Sequence, residues 1–203
     1  MLSSEENLVN NNENHNKTGF KREIFEWLEV IIVSVIVVIV LFTFVFKIVT
    51  ISGDSMKNTL KNQERIVISN LFYKPKNGDI VVISRNSSNS AQNFKNETCI
   101  IKRIIATEGQ VVNINFNTGK VFVDGIELEE PYISTPTTVP GDLEFPVTVP
   151  EGCVFVLGDN RNNSSDSRYS SLGNEGMVDE RHILGRAVLR ILPFSRFGVL
   201  LDE

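Results

Sequence analysis

Seventeen consecutive residues, Val30 to Phe46 (VIIVSVIVVIVLFTFVF), carry no charge, and only Ser34 and Thr43 among them are polar. At about 1.5 Å per residue a helix of this length reaches about 25 Å, near the lower limit for a hydrocarbon core of about 30 Å. Trp27 and Leu28 before the run, and Ile48, Val49 and Ile51 after it, can lengthen the span, while Lys47 snorkels toward the headgroups. The helix of a soluble core is apolar along a stripe, not on every face. A secretory leader has a shorter apolar stretch, about 7–15 residues, behind a positive flank. Here the flank mixes Lys21 and Arg22 with Glu23, Glu26 and Glu29, although Thr50 and Ser52 loosely imitate the small residues before a leader's cut. The reading is a transmembrane helix over 30–46.

Basic residues stand on both sides of the span, so their count does not orient it. Residues 1–19 are rich in Asn and Glu and read as disordered. Such a tail is easier to leave in the cytoplasm than a folded domain. The expected organisation is therefore a cytoplasmic tail (1–29), one span (30–46) in the cell membrane, and an extracytoplasmic domain (47–203). The 157 residues beyond 46 suffice for one substantial core. Net charge is −3 for 1–46 and −2 for the remainder, so neither part is a nucleic-acid binder by charge.

Beyond residue 50 the pattern is β. Arg65–Ile68 and Asp79–Ile83 are short β-branched runs with the turn Asn77-Gly78-Asp79 between them. Residues 84–98 form a polar Ser/Asn loop. Cys99–Ile105 is apolar apart from Lys102 and Arg103. Val111–Phe116 and Lys120–Val123 make a hairpin about Asn117-Thr118-Gly119, followed by the tight-turn dipeptide Asp124-Gly125. Five of the seven prolines fall in 131–150, which favours extended edges and loops. Cys153–Leu157 and His182–Ile191 are the last strands. The fold class is mainly β, an antiparallel β-sheet domain after one helix, with a hairpin insertion at about 109–150. Two cysteines build no disulfide scaffold; Cys99 and Cys153 either pair outside the cell or pack as small hydrophobes.

The chemistry open to this chain is narrow. Of two histidines, His15 precedes the span, and His182, beside Arg181 in a strand-like run, reads as structural. A Ser–His–Asp triad is therefore poorly supplied, and no HExxH pattern offers a metal site. No metal and no cofactor are expected. Serine with lysine remains. A lysine serves as base only when neutral, which requires burial to lower its pKa from about 10.4. Strand alternation puts Lys102 on one face with Ile100 and Ile104, with Ile101, Arg103 and Ile105 on the other. That is a setting for desolvation, although an edge-strand lysine reaching solvent has the same local sequence.

Two further segments narrow the choice: Ser52-Gly53-Asp54-Ser55-Met56-Lys57-Asn58-Thr59-Leu60, and Gly158-Asp159-Asn160-Arg161-Asn162-Asn163-Ser164-Ser165-Asp166-Ser167-Arg168. With Lys102-Arg103 they resemble the boxes of type I signal peptidases, in the same order and with the serine near the membrane. The resemblance covers roughly residues 30–192. It implies a membrane-bound serine endopeptidase that removes N-terminal signal peptides from exported preproteins, cutting after Ala-x-Ala-type sites. Ser55 would be the nucleophile and Lys102 the general base. Ser164 would hydrogen-bond the lysine amine, and Asp166, Arg168 and Arg103 would form one bracing salt-bridge set. The Ser55 N–H would donate to the oxyanion. Some relatives add a serine hydroxyl where this chain has Gly53, and Asn58 replaces the usual proline, loosening the turn. Ile51, Met56, Leu60 and Ile101 are substrate-pocket candidates or plain core. The partners implied are preprotein signal peptides and the lipid bilayer, with no nucleic acid, and the chain is expected to act as a monomer. Two other readings are a self-cleaving Ser–Lys repressor, which would carry a DNA-binding motif and no span, and a catalytically decayed membrane-anchored β-domain that binds extended peptides.

Overall fold

The computed structural model describes residues 22–23, 25–40, 42–43, 45–85 and 98–200. The expected disordered tail (1–19) lies outside them, as do residues 86–97 of the expected polar loop and Leu201. The chain divides into two units, Met1–Val45 and Phe46–Glu203.

In the first unit, residues 25–40 form helix α1, and the described residues around it (22–23, 42–43 and 45) are also helical. Every side chain from Phe25 to Val40 is exposed, with Val30 to Val40 about half exposed. The two polar residues of the apolar run hide their hydroxyls against the helix itself. Ser34 Oγ donates to Val30 O and Thr43 Oγ1 to Ile39 O, each at 2.7 Å, the usual way a hydroxyl is satisfied in an apolar helix. Among the described residues no helix is long and apolar enough to cross a membrane.

The second unit begins at Phe46. Its strands are β1 (Phe46–Thr50), β2 (Arg65–Ser69), β3 (Ile80–Arg85), β4 (Thr98–Thr107), β5 (Val111–Asn115), β6 (Lys120–Val123), β7 (Ile126–Glu127), β8 (Val147–Thr148), β9 (Cys153–Leu157), β10 (Val178–Asp179), β11 (Ile183–Leu192) and β12 (Gly198–Val199). They build a larger sheet in the order β1-β2-β11-β3-β4-β9-β10, with β12 on β11, and a smaller one in the order β7-β6-β5-β8. Every pairing is antiparallel. The mainly β, antiparallel reading of the sequence holds.

The differences from the sequence reading are local. Phe46, assigned to the span, opens β1, and Ile48 and Val49, assigned to its extension, pair with Val67 and Ile66 of β2. The β-branched run Ile48-Val49-Thr50 is better served by a ladder than by more helix. Ser84, Arg85 and Thr98 continue β3 and β4 instead of the loop. His182 closes a short turn, Glu180–His182, ahead of β11. Asp124-Gly125 makes the expected two-residue hairpin turn, with φ of 52° and 79°.

No disulfide joins Cys99 and Cys153. Thr107 of β4 pairs with Val154 of β9, so Cys153 lies beyond the far end of β4 from Cys99. Eight residues of strand separate the two positions by about 26 Å, far outside disulfide reach.

Three apolar clusters hold the domain. Strand β4 enters all of them: Ile101 joins the first, with Met56 and Leu60; Ile105 and Ala106 the second, with Phe155; Ile100 and Ile104 the third, with Val81 and Val156. Burial on both faces explains why β4 and β9 read as near-continuous apolar runs.

Candidate active site

Ser55 sits in the connection between β1 and β2, where the backbone leaves the sheet in a compact turn. The neck of the turn is tied by Ile51 N donating to Glu64 O and Gln63 N to Ile51 O, both at 2.9 Å. Within it, Lys57 N donates to Asp54 O (3.0 Å) and Leu60 N to Met56 O (2.8 Å). Met56 and Leu60 are 2% and 0% exposed and anchor the turn in the first cluster. Asn160 holds it from the opposite loop, its N–H on Ser55 O (2.9 Å) and its Nδ2 on Asp54 O (3.0 Å).

Lys102 stands opposite Val81 in the β3–β4 ladder and is 2% exposed. Its Nζ donates to Ser55 Oγ at 2.8 Å and to Ile101 O at 3.1 Å. A buried amine within hydrogen-bond distance of a serine hydroxyl is an arrangement able to move that hydroxyl's proton.

The loop after β9 frames this pair. Gly158 is required there: a Cβ would lie 2.5 Å from Ser55 O and 2.6 Å from Ser164 Cβ. Gly158→Ala is therefore expected to cut turnover by roughly 10- to 100-fold by displacing the serine turn. Its Tm is expected to fall by several degrees, since overpacking costs about 1–3 kcal/mol. Initial rates and thermal melts of the variant check both.

The salt bridges are arranged differently from the expected single set. Arg103 pairs with Asp159, Nε to Oδ1 at 2.9 Å and an η-nitrogen to Oδ2 at 2.7 Å. Asp166 pairs with Arg168 alone among these (2.8 and 3.0 Å) and accepts from Gly158 N at 3.0 Å. All four groups are at most 1% exposed. The register decides the partners: Arg103 lies opposite Leu157, which brings Asp159 alongside it. Thr59 Oγ1 also donates to Asp159, so one carboxylate joins the serine turn to the lysine strand.

The expected hydrogen bond from Ser164 to the lysine amine is not made. Ser164 Oγ is buried with no hydrogen-bond partner. Gly53 is exposed at φ 93° with its N–H on Asn62 Oδ1. Asn58 takes φ 107°, a value closed to proline, so the turn is reshaped and not merely loosened. The pocket candidates Ile51, Met56, Leu60 and Ile101 are 3%, 2%, 0% and 8% exposed, packed together in the first cluster.

Several participants escaped the sequence reading. Arg161 binds Glu130 in a fork (2.6 and 2.9 Å) and Gly158 O (3.1 Å). The Tyr132 ring lies under the Arg103 guanidinium at 3.8 Å, and burial, followed by the Glu130 charge, pushes its hydroxyl up to about 12. Asp159, Asn160 and Arg161 stand in the quoted Gly158–Arg168 segment and were legible as fixed positions without partners. Glu130 and Tyr132 lie in the proline-bearing connection, which has no periodicity to mark them. Among the described residues no group of acidic, His or Cys side chains is placed to hold a metal ion.

An antiparallel β domain presenting a serine to a buried lysine defines a candidate serine hydrolase with lysine in place of histidine. The family model described as signal peptidase, peptidase S26, matches residues 24–192. The chain is 38% identical to a probable signal peptidase I-2 of Synechocystis, over 87% of this chain and 78% of that one. It is 31% identical to a signal peptidase I of Bacillus licheniformis, over 88% of this chain and 94% of that one. The crystal structure of a signal peptidase I from Enterococcus faecalis aligns with TM-score 0.41 and 27% identity, over 56% of this chain and 97% of that one. The chain belongs to the signal peptidase family, peptidase S26.

Proposed function

We propose that this peptidase removes N-terminal signal peptides from exported preproteins by Ser55–Lys102 catalysis. The observation that carries the reading is the 2.8 Å contact between Lys102 Nζ and Ser55 Oγ, with the lysine 2% exposed. Neutral Lys102 takes the hydroxyl proton as Ser55 Oγ attacks the scissile carbonyl carbon. The Ser55 N–H donates to the oxyanion. The ammonium then returns its proton to the leaving amine, and the C–N bond breaks to leave an ester on Ser55. Lys102 next takes a proton from a water that adds to the ester carbonyl; the bond to Ser55 Oγ breaks, Oγ takes that proton back from the ammonium, and the signal peptide leaves with a new carboxylate. Burial favours the neutral amine that both halves of the cycle require. The pairs Arg103–Asp159 and Arg168–Asp166 brace the site from the segment after β9.

Strand β9 accompanies β4 only from Arg103 to Thr107 and turns away at Gly158. An extended substrate running beside Ile101 would continue the sheet from there, a recurrent mode of peptide recognition. Ile51, Met56, Leu60 and Ile101 would form the apolar floor under its small side chains. The apolar, exposed α1 supports anchoring in the cell membrane as a single span. With the tail in the cytoplasm and the domain outside, Ser55 would lie ten residues past Val45, the last helical residue, within about 35 Å of extended chain. The enzyme works there as a monomer on membrane-held preproteins.

Detergent-solubilised full-length protein, incubated with a preprotein bearing an Ala-x-Ala site, is expected to release a mature product whose new N-terminus follows that site. N-terminal sequencing of the product decides it. An intact preprotein, or cleavage elsewhere, overturns the reading.

A further inference from the structure

The serine turn has a second attachment that lies outside the dyad and its two salt bridges. It comes from the C-terminal end of the domain. Arg190 on β11 is 6% exposed and donates an η-nitrogen to Thr59 O at 2.7 Å. Arg196, in the short turn Phe194–Arg196, donates to the same carbonyl at 3.2 Å and, at the longer distance of 3.4 Å, to Asn58 O. The two arginines are coupled, since Arg190 Nε donates to Arg196 O at 2.6 Å. Between them lies Glu64, 3% exposed, which accepts from Arg196 and from Lys61 N (3.0 Å) and stands 3.6 Å from Arg190.

We propose that Arg190, Arg196 and Glu64 form a positioning clamp that sets the height of Ser55 against Lys102. This rests on the proposed Ser–Lys chemistry and adds to it residues that touch neither reacting atom. The physical need is local. Asn58 is held at φ 107°, where a side-chain-bearing residue is strained and persists only if its surroundings over-determine it. Thr59 and Asn58 follow the nucleophile by four and three residues, and the intervening turn is closed by the bond from Leu60 N to Met56 O. One η-nitrogen each of Arg190 and Arg196 on Thr59 O, the latter also reaching Asn58 O, fix the far end of the turn, as Asn160 fixes its near end on Ser55 O. A shift of the turn by a fraction of an ångström would lengthen the 2.8 Å contact on which proton transfer depends.

The test compares Arg196→Met, which keeps the stem and removes the donors, with Arg196→Lys, which restores one charged donor. Full-length proteins in detergent are assayed for kcat and KM on a preprotein, and for amide exchange across residues 54–60. For Arg196→Met, kcat is expected to fall roughly 10- to 100-fold with KM held within about two-fold. Exchange at the Leu60 amide should accelerate about ten-fold or more. Arg196→Lys should recover most of both. If Arg196→Met lowers Tm while kcat and the exchange of 54–60 stay at wild-type values, the arginine only supports the fold and the clamp is overturned. If the wild-type protein itself leaves the preprotein uncut, the peptidase reading fails, and the exchange comparison alone then decides the clamp.

Discussion

Lys102→Met is expected to abolish turnover while the protein stays folded. Methionine matches the length of the lysine stem, and the position is 2% exposed opposite Val81, so the melting temperature should hold or rise. What disappears is the group within 2.8 Å of Ser55 Oγ. Loss of a general base costs about 10²–10⁴ in rate, and here the same group must also protonate the leaving amine, so the upper end is expected. Ser55→Ala should lose as much, and the double variant should be no worse than either single one, because residues that act as a unit are not additive. The wild-type pH–rate profile adds a signature. The reactive form is the neutral amine, so the rate rises with pH through the pKa of the folded-state lysine. Retained cleavage in Lys102→Met would sink the dyad assignment.

The second large effect concerns stability. Asp159→Ala leaves the Arg103 guanidinium, 1% exposed, without its bidentate carboxylate, and leaves the Thr59 hydroxyl without its acceptor. Removing one member of a buried pair costs about 3–5 kcal/mol. For a domain of this size that is a fall in Tm of roughly 10 °C or more. Pairing Asp159→Leu with Arg103→Met removes both charges and should recover a large share of the loss, because no ion is then stranded. Turnover should stay low in both, since Thr59 and Lys102 lose their common tether. Melting curves of the single and double variants measure the coupling. Equal Tm losses in the two would mean that the pair contributes nothing through its charges.

The sequence was most informative where a local rule was enough. β-Branched runs marked the strands and Asp124-Gly125 marked a hairpin, whereas the isoleucines flanking Lys102 left a buried lysine and a solvent-reaching one equally compatible with the local sequence. The dyad's residues could be named only because the Ser52–Leu60 segment, Lys102-Arg103 and the Gly158–Arg168 segment together resemble the boxes of type I signal peptidases. What could not be read were the pairings that depend on register. Two arginines and two aspartates offered several salt-bridge sets. Only the pairing of Arg103 with Leu157 brings Asp159, and not Asp166, to the lysine strand. The same register keeps Cys99 and Cys153 at opposite ends of β4. The clamp was hidden for a related reason: Arg190 and Arg196 meet Thr59 across more than 130 residues of chain. The boundary after the apolar run failed differently, since composition cannot say where an apolar helix yields to an apolar strand.

Strand β4 carries a consequence for how such an enzyme can be controlled. Its residues enter all three apolar clusters, so the lysine's backbone is fixed by every part of the core at once. A motion that withdrew Lys102 alone would have to disturb packing in all three clusters. The proposed base is thus positioned by the folding of the domain itself. Under the proposed chemistry, control would act on the substrate's approach and on which sequences can lie along the sheet.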